Sequence, residues 1–111
     1  MGYFIYAGTQ EYEFEDRTLA HIKLAVSMKL RRQESFLMNW TNSAEKGSGR
    51  ISLWLAPSIP LVFRFSGSRT PELNEQWLQV LAELSNTPRG LIVVTEAEAE
   101  RYLASGGKRA T

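Results

Sequence analysis

The chain contains no cysteine. That one absence excludes disulfides, thiolate metal sites and cysteine nucleophiles. A chain without them has no need of an oxidising compartment, and the expected location is the cytoplasm. Histidine is almost missing too, with His21 alone. One imidazole and scattered carboxylates leave no group with metal-ligand spacing, so neither a metal nor a cofactor is expected. Long apolar runs are also lacking. No window approaches the roughly 18 residues that a membrane span requires, and no membrane partner is expected. The segment Met1-Gly2-Tyr3-Phe4-Ile5-Tyr6 has neither the basic stretch nor the apolar core of a signal peptide. Tyr6 also stands where a myristoylation signal wants Ser or Thr. Finally, an excess of either charge is missing. Thirteen Lys and Arg against twelve Asp and Glu leave a net charge of +1. No global field draws this chain to nucleic acid, and any electrostatic argument rests on local clustering.

Catalytic motifs are lacking in the same way. Gly47-Ser48-Gly49-Arg50 has neither the spaced glycines nor the Lys-Ser/Thr pair of a phosphate-binding loop. Ser66-Gly67-Ser68 is a turn signal rather than a nucleophile elbow. Glu11, Glu13 and Glu15 share one strand face and read as a solvated face. Asn39-Trp40-Thr41 matches a glycosylation sequon but falls in a strand. The chain is not expected to be an enzyme.

What is present is an ordinary globular composition. Over 111 residues, 43% are apolar and 23% charged, which suits one domain with a real core. Residues 3–7 favour strand, and Tyr12 and Phe14 alternate with glutamates, so the N-terminus reads as a hairpin. Asp16 is placed to cap a helix running to Arg32. At about 100° per residue, Leu19, Ile22, Val26 and Leu30 form its core stripe. Three alternating strands follow. Phe36, Met38 and Trp40 share one face, as do Ile51, Leu53 and Leu55, and Leu61, Phe63 and Phe65. A turn-rich loop over 42–49 and Pro57-Ser58-Ile59-Pro60 separate them. Thr70-Pro71 reads as the entry to a second helix, with Leu73, Trp77, Val80, Leu81 and Leu84 on its core face. Leu91 to Val94 reads as a buried final strand. The expected order is β-β-α-β-β-β-α-β, an α+β sandwich of two layers with two helices on one face of a mostly antiparallel sheet. This domain spans 1–95. The remainder, 96–111, is an acidic, small-residue tail with a short helix over Glu96 to Leu103 and disorder in the last six residues.

Three features stand above this background. Between Arg17 and Arg32 there are five Lys or Arg, one His and no acid. Arg17, His21, Arg31 and Arg32 project opposite the core stripe, with Leu24 and Met28 among them. That mixture points to a contact surface for a protein partner, a second subunit or a phosphate backbone, or else to two apolar residues covered by another part of the chain or simply exposed singly. Lys23 and Lys29 flank the core stripe, where long stems can lie on apolar surface. Second, Leu37, Trp54 and Val62 point away from the helices and form a candidate homodimer face, unless the hairpin or tail covers them. Third, Arg50 and Arg69 follow glycine loops, and Arg64 lies on the outer sheet face. Glycine loops with adjacent arginines are suited to anions, so two such loops near one edge would make an anion site.

Several segments carry a family resemblance. They are Glu15-Asp16-Arg17-Thr18-Leu19-Ala20-His21, Lys29-Leu30-Arg31-Arg32, Glu34-Ser35-Phe36, Gly47-Ser48-Gly49-Arg50 and Pro57-Ser58-Ile59-Pro60-Leu61. Phe63-x-Phe65-x-Gly67-x-Arg69-x-Pro71-Glu72-Leu73-Asn74-x-x-Trp77-Leu78 completes the set. In this order they resemble, over roughly residues 1–95, a family of short actinobacterial proteins without an established function. Its members commonly carry the name "ATP-dependent DNA ligase". Such ligases form a lysyl-adenylate at Lys-x-Asp-Gly, and none of Lys23, Lys29, Lys46 and Lys108 begins that motif. The resemblance therefore implies no ligase activity here and transfers no catalytic residue. The expected function is a small interaction module, homodimeric, with a protein partner. The alternative is a nucleic-acid-associated accessory domain using Arg17, Lys29, Arg31, Arg32, Arg50, Arg64 and Arg69.

Overall fold

The computed structural model describes residues 1–42, 45, 47 and 49–106. The chain opens with strands β1 (Gly2–Tyr6) and β2 (Gln10–Phe14), paired antiparallel with Phe4 opposite Tyr12. Their connection is a tight turn: Thr9 N–H donates to the Tyr6 carbonyl across Ala7 and Gly8, both with positive φ. That left-handed pair matches the twist of the flanking strands. Helix α1 (Asp16–Arg31) follows, then β3 (Phe36–Thr41), β4 (Arg50–Leu55) and β5 (Leu61–Arg64). Helix α2 (Glu75–Ser85), the short strand β6 (Leu91–Ile92) and helix α3 (Glu96–Ala104) complete the described chain.

The architecture is α+β, and the element order follows the sequence reading, with the short helix of the tail present as α3. The strands divide between two three-stranded sheets rather than lying in one. The first has the order β2-β1-β5, all antiparallel, with Phe4 opposite Phe63. The second has the order β4-β3-β6, with β3 antiparallel to β4 and parallel to β6. The proline-bounded turn after β4 explains the division. It delivers β5 to the far edge of β1, where Ala7 N–H donates to the Pro60 carbonyl at 3.0 Å. The inner faces of the sheets meet at Trp40, whose indole lies 5.3 Å from the Tyr12 ring and 5.2 Å from Phe14. Helices α1 and α2 pack over the same cluster, through Leu19, Ile22 and Val26 on one and Trp77, Val80 and Leu81 on the other. Burial of these apolar faces drives the assembly.

Helix boundaries depart from the sequence reading for reasons visible in the hydrogen bonds. Asp16 does not cap α1; it is the first helical residue, and Glu15 holds the cap position without a side-chain bond. The Asp16 carboxylate faces the loop after β5 instead. The second helix starts four residues later than Thr70-Pro71 suggests, because Asn74 is the better cap. Its side-chain oxygen accepts from the backbone N–H of Gln76 and Trp77. Leu73, expected on the core face, is therefore outside the helix and 43% exposed. At the other end of α1, Gln33 adopts φ 61°. Gln33 N–H then donates to Leu30 and Glu34 N–H to Lys29, the bonding of a Schellman ending.

Helix α3 is well anchored. Thr95 and Glu98 form a reciprocal capping box, and Ala99 is buried. The disorder expected at the end of the chain falls, from 107 on, outside the described residues, as does part of the 42–49 loop. Among the described residues, no helix is long and apolar enough to cross a membrane.

Candidate functional site

The sequence placed His21 on the outer face of α1; the structure buries it completely. A second flank of α1 is covered, by the segment entering α2 and by Trp77, which a single-stripe projection does not include. Asn74 N–H donates to Nε2 at 2.9 Å, which makes Nε2 the acceptor and leaves Nδ1 to donate to the Arg17 carbonyl at 2.7 Å. This is a neutral imidazole with both nitrogens satisfied. Burial first, and then the neighbouring Arg17 charge, push its pKa below the ordinary histidine value. His21 is thus a structural residue and takes no part in an outer surface.

Arg17 belongs to the same network. Its guanidinium donates to both carboxylate oxygens of Glu96, at 3.3 and 2.7 Å, and to the Glu72 carbonyl. Asn74 Nδ2 donates to the same carboxylate at 2.7 Å. These bonds, the Arg17 pair foremost, hold the Glu96 pKa down to about 2. Trp77 closes the network by donating its indole N–H to the Val94 carbonyl at 2.9 Å. Three separate segments, 17–21, 72–77 and 94–96, are tied together here. Nothing local in the sequence marks Glu96 as the partner of Arg17, 79 residues away.

Beside this network lies an open cleft of about 240 Å³ between α1 and the 65–73 segment. Ala20, Lys23 and Leu24 supply its helical wall, and Phe65, Gly67 and Ser68 line it from the loop. Arg69, Thr70, Pro71 and Leu73 complete it. The loop is held by Asp16, whose carboxylate accepts from Gly67 N–H at 2.9 Å and from Ser66 N–H and Oγ at 3.2 Å. The Gly67 and Ser66 backbone donors keep the Asp16 pKa below the usual carboxylate value. Lys23 Nζ stands 5.8 Å from the centre of the Phe65 ring. Leu24 is half-buried in this wall, while Met28, one turn on, is 52% exposed.

The remaining candidates are dispersed. Arg31 is exposed at the end of α1, and Arg32 pairs with Glu34 at 2.7 Å. Lys29 is buried, bonded to Glu34 at 2.9 Å and set over the Phe36 ring. Arg64 covers the Tyr3 ring at 4.9 Å, with Glu11 at 3.7 Å. Arg50 lies opposite Thr41 on β4, outside the lining of the cleft that holds Arg69. The cleft that Arg69 lines therefore does not include Arg50. Leu37 and Trp54 are direct cross-strand neighbours on the outer face of the second sheet. Val62 lies on the first sheet, opposite Ile5. Among the described residues, no group of three or more His, Cys, Asp or Glu is arranged to hold a metal ion.

Sequence reasoning missed Lys23, Phe65 and Leu73 as cleft residues. The repeating pattern Phe65-x-Gly67-x-Arg69-x-Pro71-x-Leu73 was the available signal, since an apolar, glycine and basic alternation with no regular element marks a shaped loop. Comparison with known families is decisive for kinship. The profile described as Domain of unknown function (DUF7882) matches residues 1–96.

The chain belongs to the DUF7882 family.

The match takes in both sheets, α1, α2 and the whole cleft, and it ends at Glu96, the residue that pairs with Arg17. No curated protein and no solved structure gives a significant match to this DUF7882 member.

Proposed function

We infer that this DUF7882 member is a non-enzymatic interaction module that works as a homodimer, joined through the outer face of the second sheet. The observation that carries the reading is Trp54, 53% exposed and directly opposite Leu37, itself 37% exposed. An indole left in water on a sheet face gains much when covered, and tryptophan is over-represented among residues that dominate interfaces. Beside the pair, Ser52 donates to Asn39 at 2.6 Å, and Asn39 donates on to the Arg89 carbonyl. This gives a polar border whose hydrogen bonds are already satisfied. A self-complementary patch of that kind suits a two-fold pairing, in which each Trp54 meets the partner's apolar face. Lys-x-Asp-Gly is absent from the sequence, so ligase chemistry forms no part of the proposal.

Sedimentation velocity on the wild-type chain and Trp54→Glu tests the reading. A dimer that becomes monomeric in the variant is the expected result, and a monomer in both ends the proposal. A nucleic-acid role is the weaker reading, because Arg17, Arg32 and Arg64 already face carboxylates. Phosphate binding would have to displace those pairs.

A further inference from the structure

The cleft beside α1 combines features that the dimer face does not explain. Its charges are all of one sign. Lys23 and Arg69 line it, and no Asp or Glu does. Among the described residues, no ion pair joins either cation to a carboxylate. Arg17, Lys29, Arg32 and Arg64, by contrast, each have a glutamate within 4 Å. The two cations line the cleft together with the apolar side chains of Leu24, Phe65 and Leu73. Met28, 52% exposed, lies one turn along α1 from Leu24, outside the lining of the cleft.

We propose that this cleft docks an acidic segment of a partner protein, one that sets a bulky apolar side chain among its carboxylates. The side chain enters between Leu24, Phe65 and Leu73, and the flanking carboxylates meet Lys23 and Arg69. Charge complementarity selects the occupant: a lining with two cations and no acid, among apolar side chains, disfavours basic segments and leaves polar ones without burial gain. Volume selects a peptide anchor over a free small molecule. About 240 Å³ falls below the range of roughly 300–1,000 Å³ usual for small-molecule pockets, yet it holds one large side chain. A nucleic acid would need a row of cations along its backbone, whereas here two cations border an apolar depression.

The cleft is built to keep its shape. Asp16 holds the loop at Ser66 and Gly67, and Leu73 is followed by Asn74, which His21 and Glu96 both grip. A preformed site loses less conformational freedom on binding. This inference shares no residue with the Leu37–Trp54 face, so either can fail without the other.

The test is fluorescence anisotropy with the full chain and a fluorescein-labelled peptide, Glu-Asp-Glu-Leu-Phe-Asp-Glu-Glu. Saturable binding is expected, falling as salt rises. Lys23→Glu combined with Arg69→Glu should weaken it at least about tenfold, and Leu73→Asp should do the same. All three side chains are exposed, and unchanged urea midpoints would show that the variants fold. Peptides with Ala for Leu-Phe, or with Lys for every acid, should not bind. Trp54→Glu should leave the affinity unchanged, which separates the cleft from the dimer face. No binding at millimolar protein overturns the proposal, as does binding that ignores the cleft substitutions. Equal binding of the lysine peptide does so too. Tighter binding of a labelled DNA single strand, lost in the same variants, would assign the cleft to phosphates and end the peptide reading.

Discussion

The imidazole of His21 lies flat against the indole of Trp77, with ring centroids 4.1 Å apart and planes inclined by 23°. Each ring also spends its N–H on a backbone carbonyl, His21 on Arg17 and Trp77 on Val94. The stacked pair therefore joins α1, α2 and the entry to α3, and protonating the imidazole would break the join. A second proton would occupy Nε2, the atom that now accepts from Asn74.

The direction of the resulting pH dependence follows from burial. The folded-state pKa of His21 lies below its ordinary value of 6.5. The unfolded chain therefore binds the proton more readily, and stability is lost as pH falls below about 6.5. Urea midpoints between pH 8 and pH 5 should decline toward acid, with a slope of at most about 1.4 kcal/mol per pH unit for this one group. His21→Gln should lower stability at pH 8 and remove that part of the slope. An unchanged slope in the variant would assign the decline to other groups.

The Arg17–Glu96 pair predicts a separate, more acidic transition. Glu96 titrates near 2, below its ordinary 4.5, so its stabilising effect is complete above about pH 4.5 and lost as pH falls toward 2. Glu96→Ala should lower the melting temperature at pH 7, and the difference from wild type should vanish near pH 2. A double-mutant cycle with Arg17→Ala measures the coupling, which should be favourable at pH 7.

Gly90 is predicted to be one of the least replaceable glycines. It has φ 84°, and a Cβ there would lie 2.3 Å from the Leu37 carbonyl oxygen. Gly90→Ala should destabilise by about 2 kcal/mol or more, because left-handed strain and a backbone clash add. Gly8, at φ 82° with nothing near its Cβ position, isolates the first effect. Ala there should cost only about 1–2 kcal/mol. Denaturation midpoints of the two variants decide the matter.

Gln33 offers the opposite sign. It holds the left-handed position that ends α1, at φ 61°, where glycine carries no Cβ penalty. Gln33→Gly should stabilise the chain by about 0.5–1 kcal/mol, the relief of strain outweighing the added freedom of the unfolded chain. A lower melting temperature in the variant would show that the Gln33 side chain contributes more than the strain costs.

The Asp16 carboxylate is predicted to govern the order of the cleft loop. Asp16→Ala removes the acceptor for the Gly67 and Ser66 amides, which should exchange with solvent faster while α2 amides keep their protection. Acidification below the lowered Asp16 pKa should produce the same change in the wild type, since those backbone donors are the largest of the causes that hold it down, ahead of the Ser66 hydroxyl and the N-terminal charge. Amide exchange followed by NMR reads both.

The sequence by itself determined the elements and their inner faces. Alternation set Phe36, Met38 and Trp40 inward and exposed Leu37, because a strand changes face at every residue. The 3.6-residue period found Leu19, Ile22 and Val26 in the same way. Such patterns need only local geometry and the cost of wetting apolar surface. Tertiary structure alone decided which elements became neighbours. Whether β5 would pair with β4 or β1 depended on where the Pro57–Pro60 turn sent the chain, and the strand itself reads the same either way. His21 shows the same limit: it projects away from the core stripe, yet Asn74 and Trp77 pack onto it from the second helix and its entry. The cleft, too, arises only from assembly. Lys23 and Arg69 line one cleft because Asp16, at the start of one helix, captures two backbone amides 50 and 51 residues away. Long-range hydrogen bonds of that kind have no period and no spacing for a sequence to display.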